Sequence, residues 1–190
     1  FNAKAMTLFP ERVNGKITVI VSVNTDMPPV RIAVAQVDKM EELWNQKFWE
    51  KWYVNIDEHI IDLKRLPSDH VEIGVPPIKT SHGWLLLYSH IQNYFPSGNN
   101  LDRIFGIEAV LLDFSNPLKI LGRTRGPILV PEESYELLGR VPDIVFPSGA
   151  VLQKDRLLVY YGASDTTTCL AHINIVDLVS TMRPETSALW

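Results

Sequence analysis

Residues 76–89 read PPIKTSHGWLLLYS, in which proline is followed by a short strand, a polar turn and a strongly apolar strand. The same order recurs in residues 8–21, LFPERVNGKITVIV, and in residues 146–162, FPSGAVLQKDRLLVYYG. Within residues 8–21, the pair Asn14-Gly15 is a strong hairpin signal, because both residue types tolerate positive φ. A third predicted strand follows each hairpin, at residues 31–37, 107–112 and 169–175. The sequence therefore contains three copies of one antiparallel unit.

The turns of the three units, at Gly15, Gly83 and Asp155, lie 68 and 72 residues apart. Long repeats of antiparallel strands are typical of β-propeller blades. We therefore predict an all-β fold, a β-propeller fragment of about three blades, with a plain β-sandwich of three hairpins as the alternative. Three blades would leave edge strands exposed at both ends, so we expect part of the ring outside this sequence. The blades are placed at about residues 1–70, 71–140 and 141–180, with a mobile C-terminal tail at residues 181–190.

One segment departs from the β pattern. Residues 39–52 carry apolar side chains at helical spacing, namely Leu43, Trp44, Phe48, Trp49 and Trp52. The pattern predicts a helix whose aromatic face packs on a sheet. A sugar-stacking surface of tryptophans is the alternative. Residues 93–102, which are rich in asparagine, proline and glycine, are predicted to form a loop.

Composition excludes several classes of partner. The 190 residues carry 18 basic and 22 acidic side chains, a net charge of −4, whereas nucleic-acid binding depends on neutralising phosphates. No apolar stretch approaches the ~20 residues of a membrane span. The single Cys169 excludes an internal disulfide framework and a multi-cysteine zinc site, and the histidines show no metal-ligand spacing. We predict no nucleic acid, no membrane, no metal and no cofactor.

The N-terminus bears on localisation. The chain begins at Phe1, and its first residues have neither the basic start nor the apolar core of a signal peptide. We therefore expect the chain to begin inside a domain. A cytoplasmic location is favoured, and self-association into a homo-oligomer is left open.

Five blocks of the sequence, in order along the chain, resemble glycoside hydrolase family 130, which contains β-mannoside phosphorylases and hydrolases. The blocks are residues 2–16, 76–88, 109–124, 131–147 and 160–165. The resemblance implies a five-bladed propeller with its active site at the central funnel, and the first two blades outside this chain. The family's proton donor, an aspartate in a Glu-Asp-Pro-Arg motif, has no counterpart here. We therefore expect the isolated fragment to be inactive.

The resemblance also bears on phosphate binding, which needs cationic and hydrogen-bonding groups. It places Lys79 at a phosphate-binding lysine of the family. Ser22, Ser89 and Phe105 stand where the family has arginine, histidine and tyrosine, and losing the arginine and the phenol weakens a phosphate site. A shift of one residue in the alignment would return His90 to the site as a substrate-binding residue.

Glu108 is the candidate catalytic residue. It lies in the apolar run of residues 107–112, where phosphorylases of the family usually have a small residue. A buried carboxylate is unfavourable unless it is used or paired, and family hydrolases are understood to place glutamates where phosphate would sit. We therefore predict that Glu108 is a base or water-positioning residue. An outward-facing glutamate on an edge strand is the alternative.

Three further acidic residues match substrate-binding positions of the family. Glu136 and Asp165 match residues that hold sugar hydroxyls, a role that suits carboxylates because each oxygen accepts hydrogen bonds. A solvated loop acid and a turn-forming aspartate are the respective alternatives. Asp143 replaces a common asparagine, so an amide donor is lost there.

These observations predict an inverting glycosidase that acts on β-manno-oligosaccharides, with hydrolysis favoured. One alternative is a β-mannosyl phosphorylase that uses Lys79 and His90, takes inorganic phosphate as co-substrate and releases mannose 1-phosphate. The other is a non-catalytic carbohydrate-binding propeller.

Overall fold

The computed structural model describes residues 1–27, 29–94 and 103–184. These residues form three antiparallel β-sheets with short helices between them, which confirms the predicted all-β fold. The first sheet has strand order β1-β2-β3-β4. Its strands are β1 (Ala3–Leu8), β2 (Ile17–Val23), β3 (Arg31–Val37) and β4 (Ile60–Ile61).

The second sheet has strand order β5-β7-β8-β9, and the short β6 also pairs with β7. Its strands are β5 (His70–Ile73), β6 (Ile78–Lys79), β7 (Trp84–Gln92), β8 (Ile104–Leu112) and β9 (Ile120–Arg123). The third sheet has strand order β10-β11-β12. Its strands are β10 (Val145–Gln153), β11 (Arg156–Ala163) and β12 (Thr167–Asn174). Each of the three repeated units thus contributes its hairpin and third strand to a separate sheet, and the proposed blade boundaries stay predictions.

The second sheet is packed between the other two, which explains the apolar run in β7. Trp84 and Leu86 belong to a core shared with the first sheet, whereas Leu85 and Leu87 belong to a core shared with the third. Successive side chains of a strand point to opposite faces. A strand buried on both faces is therefore continuously apolar.

The predicted helix is present but divided. A 3-10 helix covers Met40–Trp44 and α1 covers Gln46–Val54. Asn45 separates them because its side chain accepts a hydrogen bond from the Lys47 N–H and caps α1.

Helix α1 covers the outer face of the first sheet. Trp52 is buried there and donates from Nε1 to the Val34 carbonyl at 3.0 Å, and Trp49 donates to the Leu43 carbonyl. Trp44 is 79% exposed. The aromatic stripe therefore packs mainly against the sheet and does not form a surface of three tryptophans.

The C-terminal segment is described as far as residue 184. Helix α2 covers Ser134–Leu137 and helix α3 covers Ile175–Thr181. After α3, Arg183 and Arg123 exchange backbone hydrogen bonds at 3.0 Å. Residues 181–184 are therefore tied to the second sheet, although they belong to the predicted mobile tail. Residues 185–190 of that tail, and residues 95–102 of the predicted loop, lie outside the described residues. Among the residues that are described, no helix is long and apolar enough to cross a membrane.

Candidate active site

The predicted site residues divide between the two faces of the second sheet. Tyr88 lies opposite Glu108 across β7 and β8, and Ser89 lies opposite Ile107. Because strand side chains alternate, Glu108 faces the first sheet with Tyr88, while Ser89 faces the third. His90 therefore lies on the other face of the sheet from Ser89 and cannot replace it.

Glu108 is buried and its oxygens are fully engaged. Its side chain is 0% exposed. It accepts hydrogen bonds from Arg65 Nε and Nη2, the latter at 2.8 Å, from the Tyr88 hydroxyl at 2.9 Å and from His90 Nδ1 at 2.7 Å. The alternative of an outward-facing edge glutamate is therefore wrong.

The contacts of Glu108 also set its protonation state. Burial alone would raise the pKa of its carboxyl, but the hydrogen bonds from His90 and Arg65 lower this pKa to about 2. A general base works best with a pKa near the working pH and within reach of water. The predicted role of catalytic base stays a prediction that these contacts do not favour.

His90 is enclosed by two carboxylates. Nδ1 donates to Glu108 and Nε2 donates to Asp69 Oδ2 at 3.0 Å. Burial lowers the pKa of His90, but the two carboxylates outweigh it and raise this pKa overall. Since both ring nitrogens are occupied and the side chain is 0% exposed, His90 has no nitrogen left for substrate or phosphate.

Lys79 lies far from His90. It pairs with Trp84 at the opposite end of β7. His90 follows Trp84 by six steps along the strand, about 20 Å. Its Nζ forms an ion pair with Glu11 at 2.5 Å. The structure therefore does not place Lys79 and His90 in one phosphate site.

Glu136 lies on the other side of the second sheet, against the third sheet. It is in the short helix α2 (Ser134–Leu137) and only 2% exposed. Its Oε1 accepts a hydrogen bond from the Tyr161 hydroxyl at 2.6 Å, and its Oε2 accepts from the N–H groups of Glu132 and Glu133. Burial would raise the pKa of Glu136, but these hydrogen bonds lower it. Glu136 is thus not the solvated loop acid of the alternative.

Ser164 brings Asp143 and Asp165 close to Glu136. Its hydroxyl donates to the Glu136 carbonyl, and its N–H donates to the carbonyl of Ile144, which follows Asp143. Asp143 and Asp165 are both exposed, with φ angles of 59° and 51°. Three of the predicted substrate-binding residues therefore share one end of the third sheet.

A cleft of 480 Å³ lies beside this group. Its polar lining residues are Gln92 at the end of β7, Arg103 just before β8, and Asp143. The remaining lining residues are apolar, namely Ile104, Phe105, Pro127, Val130, Pro131 and Leu137. A mostly apolar cleft with a few convergent polar groups is typical of a small-molecule site.

Several residues around Glu108 and around the cleft were not predicted from the sequence. Arg65 and Asp69 lie in the segment before β5, and Arg103 lines the cleft with its guanidinium 4.9 Å from the Tyr94 ring centroid. His70 Nε2 and Glu72 Oε1 form a hydrogen bond of 2.8 Å on the face of β5 that is turned toward the cleft. One signal for such partners was present in the sequence, namely Glu108 itself, because a buried carboxylate requires a cationic or hydrogen-bonding partner.

Comparisons with known proteins agree with this architecture. A family model described as beta-1,4-mannooligosaccharide phosphorylase matches residues 1–184. A 1,2-beta-oligomannan phosphorylase of Thermoanaerobacter sp. (strain X514) is 35% identical over 92% of this chain and 52% of its own length. A Beta-1,2-mannobiose phosphorylase of Listeria innocua is 29% identical over 96% of this chain and 47% of its own length.

A solved structure of a mannoside phosphorylase is also similar to this chain. The Beta-1,2-Mannobiose phosphorylase from Listeria innocua, in complex with beta-1,2-mannobiose, has a TM-score of 0.73 and 28% identity, covering 95% of this chain and 47% of that one. The chain spans about half the length of the relatives it matches. The match over residues 1–184 shows that the chain belongs to glycoside hydrolase family 130, and its three sheets are part of that family's five-bladed β-propeller.

Proposed function

We propose that the protein is an inverting β-mannoside phosphorylase that acts on β-1,2-linked manno-oligosaccharides. The relatives at 35% and 29% identity are both named as phosphorylases of β-1,2-linked substrates. In the proposed reaction the bond from C1 to the glycosidic oxygen breaks and a bond from C1 to a phosphate oxygen forms. A general acid protonates the leaving oxygen, and mannose 1-phosphate with inverted configuration is released.

The burial of Glu108 carries this proposal. Inverting hydrolysis requires a base that activates water, and Glu108 is the sequence-based candidate. Its oxygens are occupied by Arg65, Tyr88 and His90, and its pKa is about 2. Phosphate is already a nucleophile and needs no such base. The preference for hydrolysis over phosphorolysis is therefore reversed.

The cleft beside the third sheet is the proposed substrate site. Arg103 and Gln92 supply donors for phosphate oxygens or sugar hydroxyls, and Asp143 supplies an acceptor. Asp165 is exposed nearby and supplies a second acceptor. The carboxylate of Glu136 is held by Tyr161 and two backbone N–H groups, so we assign it the positioning of α2 along the cleft.

The test compares cleavage with and without inorganic phosphate in the full-length protein. β-1,2-, β-1,3- and β-1,4-mannobiose serve as substrates, and mannose and mannose 1-phosphate are quantified separately. We expect phosphate-dependent release of α-mannose 1-phosphate, fastest from the β-1,2-linked disaccharide. Release of free mannose at the same rate in phosphate-free buffer would reject the proposal.

Hydrolysis remains the second candidate because of two residues. Ser89 and Phe105 lie toward the cleft side of β7 and β8, where the resemblance places a histidine and a tyrosine for phosphate. Their replacement removes two phosphate donors. The same assay separates the two functions.

A further inference from the structure

Four charged residues form one continuous row across the second sheet. We call Arg65, Asp69, His90 and Glu108 the ionic row. Arg65 donates from Nε to Glu108 Oε1 and from Nη2 to Glu108 Oε2, which is the bidentate geometry of a strong ion pair. Glu108 then accepts from His90, and His90 donates its other nitrogen to Asp69. Basic and acidic side chains therefore alternate along the row.

The ionic row connects the four strands in the β5-β7-β8-β9 order of the second sheet. Asp69 directly precedes β5, His90 belongs to β7 and Glu108 belongs to β8. At the other end, Arg65 Nη2 also donates to the carbonyl of Thr124, just after β9. The row therefore runs from one edge of the second sheet to the other, close to the ends of β7 and β8 that border the cleft.

The ionic row lies directly behind the cleft. His90 is adjacent to Ser89 in β7, and its cross-strand partner Gly106 is adjacent to Phe105 in β8. Ser89 and Phe105 face the opposite side of the sheet, and Phe105 lines the cleft. A displacement of either strand end would therefore move the cleft wall, and sub-ångström placement matters for reacting groups.

Other charged groups face the ionic row from the elements around it. Tyr88 of β7 donates its hydroxyl to Glu108, and Arg123 of β9 acts electrostatically on Tyr88. Lys64 precedes Arg65 and interacts with Asp69 and with Arg31 of β3. None of these contacts leaves Glu108 open to a substrate, since its side chain is 0% exposed.

We propose that the ionic row is a positioning device for the cleft, in which Glu108 and His90 hold the ends of β7 and β8 in register behind the substrate. The inference rests on the proposed function, because it concerns the phosphate and sugar ligands of the cleft. Glu108 acts through Ser89 and Phe105, so it is a positioning residue and not a catalytic one.

The test measures the Michaelis constants of Glu108→Gln in the full-length protein, at a temperature where circular dichroism shows full folding. The substitution leaves Arg65 and His90 without a carboxylate between them. We expect the KM for phosphate to rise roughly 10-fold or more, with a smaller change in the KM for the disaccharide. Glu50→Gln makes the same chemical change at an exposed position of α1 and should leave both constants unchanged.

A purely structural role gives a different result. It would lower the melting temperature of Glu108→Gln but leave both KM values of the folded enzyme at the wild-type level, and that outcome would overturn the inference. If Glu108→Gln does not fold, Tyr88→Phe and Asp69→Asn decide by the same criterion. Tyr88→Phe removes the hydroxyl that donates to Glu108, and Asp69→Asn removes the negative charge beside His90, while both keep the side-chain shape.

The proposed function can be rejected independently of the positioning role of the ionic row. Phosphate-independent hydrolysis by the wild-type protein would reject phosphorolysis. The KM for the disaccharide would then report on the cleft, and an unchanged value in all three variants would reject the positioning role as well.

Discussion

The hydrogen bond between Tyr161 and Glu136 is the clearest single contact to test on the cleft side. It is 2.6 Å long and both side chains are buried. Burial, followed by the Glu136 hydrogen bond, raises the pKa of Tyr161, so the phenol is a donor at all physiological pH values.

Replacing Tyr161 with phenylalanine should destabilise the fold by about 1–3 kcal/mol, because one oxygen of a buried carboxylate loses its donor. The free energy of unfolding in urea measures this effect. Tyr160→Phe is the matched control, since Tyr160 is the preceding residue of β11 and 39% exposed. Equal values for the two variants would show that the hydrogen bond contributes nothing.

The ionic row predicts an optimum of stability in mildly acidic solution. The pKa of Glu108 falls from 4.5 unfolded to about 2 folded, so its contribution, roughly 3 kcal/mol, is present above pH 4.5 and lost as pH falls toward 2. The pKa of His90 is raised above 6.5, so its contribution is present below pH 6.5 and lost as pH rises through the folded pKa.

Both contributions are therefore complete between pH 4.5 and 6.5. Urea unfolding from about pH 3 to about pH 9 should show highest stability in that window. In Glu108→Gln the loss of stability on the acid side should become shallower. If the free energy of unfolding of Glu108→Gln fell as steeply at low pH as that of the wild type, carboxylates other than Glu108 would be responsible for the acid sensitivity.

Glu108 also shows what a single residue type can reveal in a sequence. A carboxylate in an apolar strand must be used or paired, and that much was predicted. Its partner Arg65 lies 43 positions earlier in the chain, and no periodicity or motif connects the two. The pairing depends on how the segment before β5 folds back over the second sheet, so local sequence could not reveal it.

At the scale of elements, β7 and β8 were predictable because their patterning is strong. The strand predicted at residues 31–37 is β3 itself, and residues 107–112 lie inside β8. Lys79 was not placed correctly relative to His90. Family motifs give sequence order, whereas the two ends of β7 lie far apart in space.

The buried position of β7 gives a prediction at this scale. Leu87 is 0% exposed between the second and third sheets, so Leu87→Ala should destabilise the fold by about 2–5 kcal/mol through lost contacts and a residual cavity. Leu170→Ala in β12 is the control, because Leu170 is 53% exposed. Urea unfolding of both variants measures the difference, and a difference below about 1 kcal/mol would contradict the burial of β7 on that face.

At the scale of the whole molecule, the contact between the second and third sheets determines whether the cleft exists. Gln92, Arg103 and Phe105 come from the second sheet and its β7–β8 connection, whereas Asp143 comes from the segment leading into the third. The repeat in the sequence predicted the sheets themselves. It did not predict which of their edges meet, because that depends on side-chain volumes at the contact.

Gly74 lies at this contact and gives its most direct test. A Cβ atom at Gly74 would lie 2.0 Å from the Pro147 carbonyl oxygen and 2.8 Å from the Phe146 ring. Since backbone cannot yield as a flexible side chain can, Gly74→Ala should force the second and third sheets apart. The free energy of unfolding should fall by about 1–3 kcal/mol or more, and the KM for the disaccharide should rise because the cleft widens. Gly126→Ala is the control, since a Cβ atom there meets nothing within 4 Å. If Gly74→Ala matched Gly126→Ala in both measurements, the two sheets could not be packed at this point, and the cleft between them would lose its basis.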